Sequence, residues 1–239
     1  MGKIIEPGFT GRVGNLIFYN LNGKKYVRTV PDRVKQTKAT KAKAKVFGLA
    51  STIGSVIRRQ MRPIITEPKN NAMQTRLVTF IYQWLLNVKD QKGSKAAEAR
   101  HLVGFQFVEQ THSVLDRWKI GLKIILPAPD EVQIKIPEFV PTEAIKAPTD
   151  TAAVVCRIAT SVSDVEEGFG IRNDSVKLVF EYNDKPVAAQ TISFKLSTPK
   201  GGIVLTGISL EYRIARKGYQ FANTNKNYMP SDIVDAKYL

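Results

Sequence analysis

His101 and His112 are the only histidines in this 239-residue chain, and Cys156 is the only cysteine. A metal centre needs three or four imidazole, thiolate or carboxylate ligands at a spacing that brings them together. No His-x-x-x-His, His-Glu-x-x-His or cysteine pair supplies that spacing, so no metal and no other cofactor is expected. A single cysteine also excludes an intrachain disulfide. Cys156 lies in Ala152-Ala-Val-Val-Cys-Arg-Ile158, a strand-like apolar run, and reads as a buried small hydrophobe rather than a reactive thiol. Glu166 and Glu167 are adjacent, so on a strand they face opposite ways and cannot share an acid–base task. Asp130-Glu131, after Pro127 and Pro129, reads as a solvated loop. There is no Gly-x-Ser-x-Gly elbow and no complete phosphate loop. Gly8, Gly11 and Gly14 do not match the Gly-x-Gly-x-x-Gly dinucleotide fingerprint. The residue chemistry points to a non-enzyme.

The positive signal is basic. Residues 1–62 hold 14 Lys/Arg against 2 acidic residues, a net of +12, and the other 177 hold 22 against 19, a net of +3. A lopsided distribution of this kind makes a face for polyanions. The candidate contacts are Lys24, Lys25, Arg28, Arg33, Lys35, Lys38, Lys41, Lys43, Lys45, Arg58, Arg59 and Arg62. Each one that meets a phosphate releases counterions and adds salt-sensitive, sequence-independent affinity. On a helix over 38–45, Lys38, Lys41 and Lys45 share a face and Lys43 points elsewhere. Three readings compete: a solvated helix face, contact with DNA or RNA, and contact with an acidic protein surface, another copy of the chain included. Phe18, Tyr19 and Tyr26 have the shape to stack on bases, and equally to pack on each other across a hairpin.

The elements that position these residues are legible in outline. Asn22-Gly23 separates Asn15–Asn20 from Lys24–Val30 and predicts a hairpin with a type I′ turn. Ahead of it, Gly8, Gly11 and Gly14 suit turns or an extended arm, and Pro31 ends the second strand. The Lys/Ala run over 38–45 opens a helix, with Thr37 or Thr40 placed to cap it. Val46, Leu49, Ala50, Ile53, Val56 and Ile57 recur at helical spacing before Pro63 and Pro68. A second helix over 71–89 carries Met73, Leu77, Phe80, Ile81, Trp84, Leu85 and Val88 as a core stripe, followed by a loop at Gly93-Ser94. A third element over 96–115 reads as a helix, or as a helix yielding to a strand at 103–108. From Lys119 onward the texture is β, with strands at 120–126, 132–136, 152–158, 176–182, 187–196, 203–214 and 219–222. The proline-bearing segment 136–148 is the expected divide between a strand pair and the main sandwich, and Pro199-Lys-Gly-Gly202 is an expected turn. The fold class is α+β: an N-terminal hairpin arm and two or three helices, the first two antiparallel, then a mainly antiparallel β-sandwich. The expected divisions are an arm at 1–35, a basic helical region at 36–118 and a sandwich at 119–239.

Several of these residues also carry a resemblance. Gly11-Arg-Val-Gly-Asn15, Tyr19, Gly23, Tyr26-Val-Arg28, Pro31 and Val34–Ala42 are similar to the opening of an uncharacterised protein family of Bacteroidota. Phe47–Ser51, Leu77 and Trp84-Leu85 follow the same pattern, so about a third of the chain is covered. The opening also looks like that of small structural proteins encoded in phage and prophage regions. The resemblance implies architecture and carries no activity.

Two functions are expected on this basis. In the first, the chain is a structural protein that self-associates as a homo-oligomer through Gly8, Gly11, Gly14, Asn15, Phe18, Tyr19 and Tyr26, in a virion-like or filamentous assembly. In the alternative it binds nucleic acid without sequence preference through residues 24–62. A weaker third reading, a carbohydrate- or peptide-binding sandwich, would use Tyr182, Tyr212, Tyr219 or Tyr228. Met1-Gly-Lys-Ile-Ile-Glu-Pro7 has no apolar run of signal-peptide type, and Leu77–Val88 is too short to cross a bilayer. No membrane partner is expected, and the expected location is the cytoplasm or an assembly released from it.

Overall fold

A computed structural model describes residues 3–4, 9–30, 36–66, 71–90, 99–128, 130–164, 169–196, 202–216 and 218–238. The expectations for Gly8, Pro31, Arg33, Lys35, Pro68, Gly93, Ser94, Ala96, Pro129, Glu166, Glu167 and Pro199 lie outside the described residues. The architecture is α+β with antiparallel sheets. The chain divides into two compact units, residues 1–43 and 44–239, with the boundary inside helix α1 (Lys38–Gln60).

The first unit is a sheet of four strands in sequence order: β1 (Lys3–Ile4), β2 (Phe9–Val13), β3 (Leu16–Leu21) and β4 (Lys24–Thr29). Thr37 caps α1. It accepts the Thr40 N–H on Oγ1 at 3.1 Å, and its carbonyl accepts the Lys41 N–H at 3.0 Å.

The second unit has three layers. Its central sheet runs β11 (Tyr219–Ala222), β10 (Gly202–Arg216), β7 (Thr151–Asp164), β8 (Phe169–Glu181), with β12 (Ser231–Tyr238) also paired to β10. One face packs on a smaller sheet, β5 (Lys123–Ala128), β6 (Glu131–Ile136) and β9 (Gln190–Lys195), sharing Val132, Ile134, Ile136, Phe194, Val154, Cys156, Ile158, Leu210 and Tyr212. The other face packs on α1 and α2 (Asn71–Asp90). There Ile53, Ile57, Met61, Ile64, Leu77 and Ile81 meet Ala159, Ile203, Leu205 and Ile233. Residues Gly202–Leu210 are buried without a break, because both faces of β10 are covered.

Small residues on the helix-facing side of this sheet let the helices come close. A Cβ at Gly207 would run into Ile64 Cδ1 and lie 3.0 Å from Met61 Sδ. Polar groups stitch the same interface. Gln60 Nε2 donates to the Val162 carbonyl at 3.0 Å, Ser163 Oγ donates to Gln60 Oε1 at 2.7 Å, and Ser231 Oγ donates to the Ile64 carbonyl at 2.7 Å. Each bond satisfies a buried group that would otherwise cost stability.

Both long helices follow their apolar patterns. Val46, Ala50, Ile53, Val56 and Ile57 are buried on α1, and Met73, Leu77, Ile81, Trp84 and Leu85 on α2. The expected division near residue 118 does not separate compact units, because the helices and the sheet share one apolar cluster. Nor does segment 136–148 set a strand pair apart: β6 pairs with β9 and completes the second layer. Tyr182 Oη and Tyr212 Oη anchor that segment by donating to the carbonyls of Ile145 and Lys146, at 3.0 and 3.3 Å.

The third element is mostly irregular, with a 3₁₀ turn at Arg100–Leu102 and α3 (Val114–Arg117). Gly104 and Gln110 take φ of 89° and 65°, which no continuous helix or strand allows. The backbone bonds of this segment go to β12 instead: Gly104 N–H to Ile233 O, Phe107 N–H to Ser231 O, and Ile233 N–H to Phe105 O. β12 itself was not expected, since only Ile233 and Ala236 on it are buried apolar residues among aspartates and a lysine. The strand expected at 187–196 starts at Gln190, and a short helix, α4 (Pro141–Ala144), lies in the proline segment. Among the described residues no helix is long and apolar enough to cross a membrane.

Asp232, on β12, is the buried carboxyl group among the described residues of this unit. Burial pushes it up to about 7, against its ordinary 3.8, although the N–H groups of Val114 and Ser231 favour the anion. The folded state therefore holds this proton more tightly than the unfolded chain. The contribution of Asp232 to stability is fully present below its unfolded value and is lost as pH rises through its folded value. Asp232→Asn, which carries no charge, should gain stability relative to the native chain between about pH 5 and about pH 8, as thermal melts at the two pH values would show. Gly207→Ala should lower stability by about 1–3 kcal/mol in denaturant unfolding, because the new methyl meets Ile64 and Met61 inside a packed layer.

Candidate functional site

The described residues expected to serve assembly and polyanion contact fall on one small sheet and on the start of α1, except Arg58, Arg59 and Arg62 at its other end. Directly opposed residues on neighbouring strands point to the same face, and faces alternate along each strand. Register therefore sorts the sheet. Val13–Leu16–Thr29, Gly11–Phe18–Val27 and Asn20–Lys25 form rows on one face. Arg12–Ile17–Arg28, Tyr19–Tyr26 and Leu21–Lys24 form rows on the other.

The two faces differ in chemistry. The first is apolar, and its Val13, Leu16 and Val27 are 52%, 40% and 55% exposed. The second is cationic and aromatic. Tyr19 and Tyr26 are exposed and stack, with centroids 5.6 Å apart and planes 20° from parallel. The Arg28 guanidinium lies over the Tyr19 ring at 5.8 Å, a cation–π contact. Arg12 Nε donates to the Gly14 carbonyl at 3.0 Å.

Two tight turns hold this register. Asn22 and Gly23 have φ of 51° and 76°, the paired positive values of the expected type I′ turn. Gly14, at φ 58°, precedes Asn15 in a second two-residue turn that joins β2 to β3. The glycine-punctuated arm is thus a strand of this sheet, and Gly11 lies within β2 opposite Phe18.

The basic set does not converge on one surface. Lys24 and Arg28 share a face, while Lys25 is on the other. Lys38, Lys41, Lys43 and Lys45 occupy the first turns of α1, all exposed, with no acidic residue in the first turn. Lysines there add to the positive end of the helix dipole. Arg58 and Arg59 close α1, and Arg62 follows it; Arg59 and Arg62 are exposed and Arg58 is half-buried. Sequence reasoning missed Arg12, Val13, Leu16 and Val27. Alternation carried across the Gly14-Asn15 turn would have placed all four.

The remaining candidates have structural settings. Cys156 is fully buried, and burial pushes its thiol well above the ordinary range. His101 and His112 are exposed. Tyr212 is buried, Tyr182 is hydrogen-bonded to the backbone, and Tyr228 lies under the Arg117 guanidinium at 5.1 Å. Only Tyr219 of the four, 72% exposed, stands in the open. No group of His, Cys, Asp and Glu among the described residues could hold a metal ion.

No protein-family model matches the chain, and no curated protein matches it.

If the turn at Asn22-Gly23 sets the register of both faces, Gly23→Ala should loosen the hairpin. A Cβ at φ 76° costs about 1–2 kcal/mol. Amide exchange over 16–29 should speed up, while exchange in β7 and β10 stays as it is.

Proposed function

We propose that the protein is a non-enzymatic structural protein that self-associates through its N-terminal sheet, in a virion-like or filamentous assembly. One observation carries this reading: among the described residues, no side chain of residues 1–43 is buried. A sheet needs an apolar face packed against something to stand in water, and a segment this short needs a metal, a disulfide or a partner to do so. The chain has one cysteine, and it lies in the other unit. The apolar face of Val13, Leu16, Phe18 and Val27 is the surface a partner would cover.

A second copy fits that face because its core rows are apolar and carry no carboxylate that would want a different partner. The edge of β4 is less suited. It carries Lys24, Lys25 and Arg28 within six residues, and lysine-rich edges resist pairing with an identical strand. Face-to-face packing therefore fits better than edge addition. The symmetry of the contact decides whether copies close into a ring or propagate as a filament.

Light scattering after size exclusion, with electron microscopy, tests this reading. The native chain should form oligomers that grow with concentration. Leu16→Asp with Val27→Asp should yield monomer while the melting of the second unit is unchanged. A native chain that stays monomeric at the highest attainable concentration, or a doubly substituted chain that assembles equally well, overturns it.

A further inference from the structure

The second face of the N-terminal sheet has a chemistry that self-association does not use. Arg12 and Arg28 flank Ile17 in one row, Tyr19 and Tyr26 fill the next, and Lys24 stands beside Leu21 in the last. Residues 9–30 contain no aspartate or glutamate, so these cations have no carboxylate on their own sheet. None of the three forms an ion pair with a described residue. Arg12 and Arg28 lie two strand spacings apart, about 10 Å. A second copy docked on this face would bring like charges together, so the face rejects the partner that the opposite one accepts.

From this arrangement we infer that the Tyr19–Tyr26 face binds single-stranded nucleic acid. The charge selects a polyanion, and the rings select its kind. A duplex keeps its bases stacked inside and offers a tyrosine face only sugar and phosphate. An acidic protein surface gives the guanidinium groups partners but leaves the flat rings without any. A single strand supplies phosphates for Arg12, Lys24 and Arg28 and unstacked bases for the tyrosines. The near-parallel ring pair, exposed and with the Arg28 guanidinium over Tyr19, is a short aromatic stack that an unstacked base can extend. Lys38, Lys41 and Lys43 belong to the same unit, all exposed, and extend the positive field. The unit as a whole holds ten Lys/Arg against two acidic residues.

Fluorescence anisotropy of the full-length chain tests the inference, with labelled oligo(dT) and oligo(U), a duplex of equal length, and polyglutamate as competitor, over rising salt. Single strands should bind more tightly than the duplex, and polyglutamate should compete poorly. Lys24→Ala should reduce the slope of log affinity against log salt by about 0.7, the share of one phosphate contact. Tyr19→Ala with Tyr26→Ala should weaken binding roughly tenfold or more and leave that slope unchanged. Tyr19→Phe with Tyr26→Phe should retain binding, which separates lost stacking from a lost hairpin. The Leu16→Asp and Val27→Asp chain, altered on the opposite face, should still bind a short strand, so this inference and the assembly reading fail separately. The inference is overturned by no binding at low salt, by equal affinity for duplex or polyglutamate, or by binding that the phenylalanine and alanine pairs leave equally unaffected.

Discussion

Burial of the β7–β10 ladder on both faces is the constraint on which the second unit depends. Thirteen residue pairs run from Gly202↔Asp164 to Ile214↔Thr151, and the side chains leave them alternately toward the helices and toward the small sheet. Neither covering layer is optional, because each meets a row of valine, isoleucine or leucine that water would otherwise solvate. The same constraint dictates the small residues. Where Met61 and Ile64 descend on the sheet, β10 offers Gly207, and the hydroxyls of Ser163 and Ser231 satisfy polar atoms of Gln60 and Ile64. The buried carboxyl of Asp232 sits in this setting too, which is why its proton is linked to stability.

The first unit is built on the opposite principle. Its strands alternate, its turns are well formed and its register is definite, yet no described side chain in it is buried. Such a sheet carries two solvent-facing surfaces of unlike chemistry, one apolar and one cationic with stacked tyrosines. An apolar face favours its own kind, and a cationic face repels its own kind. On the proposed reading, one face of this thin sheet joins copies and the other holds a polyanion. The charge asymmetry in the sequence, +12 over the first 62 residues, is shared among both faces of this sheet and both ends of α1, with Arg12, Lys24 and Arg28 together on one face of the sheet.

Much of the fold was legible. The Asn22-Gly23 turn, the cap at Thr37, both helical stripes and the α+β division show directly in residue type and spacing, because each is a local matter of torsion preference or period. Segment 96–115 was not legible, because its backbone bonds go to β12 more than 120 residues away in sequence. β12 was hidden for a related reason: its strand character comes from pairing with β10 and not from its own polar composition. Of the candidate site, the aromatic and basic residue types were visible, but Arg12, Val13, Leu16 and Val27 were not, since their grouping depends on which strand lies beside which.

The sequence by itself determined that the basic charge is concentrated at the start, that a hairpin lies within it, and that no familiar catalytic pattern accompanies it. These are statements about residue types and near neighbours, and a chain carries them whether folded or not. Only the tertiary structure decided that the glycine-punctuated arm is a strand, that the helices and the sandwich share a core, and that Arg12 shares a face with Lys24 and Arg28. Packing of layers decides the second of these, and strand pairing with its register decides the first and the third. A shift of one residue exchanges every side chain between faces, so the register, and the face each cation occupies, belongs to the fold.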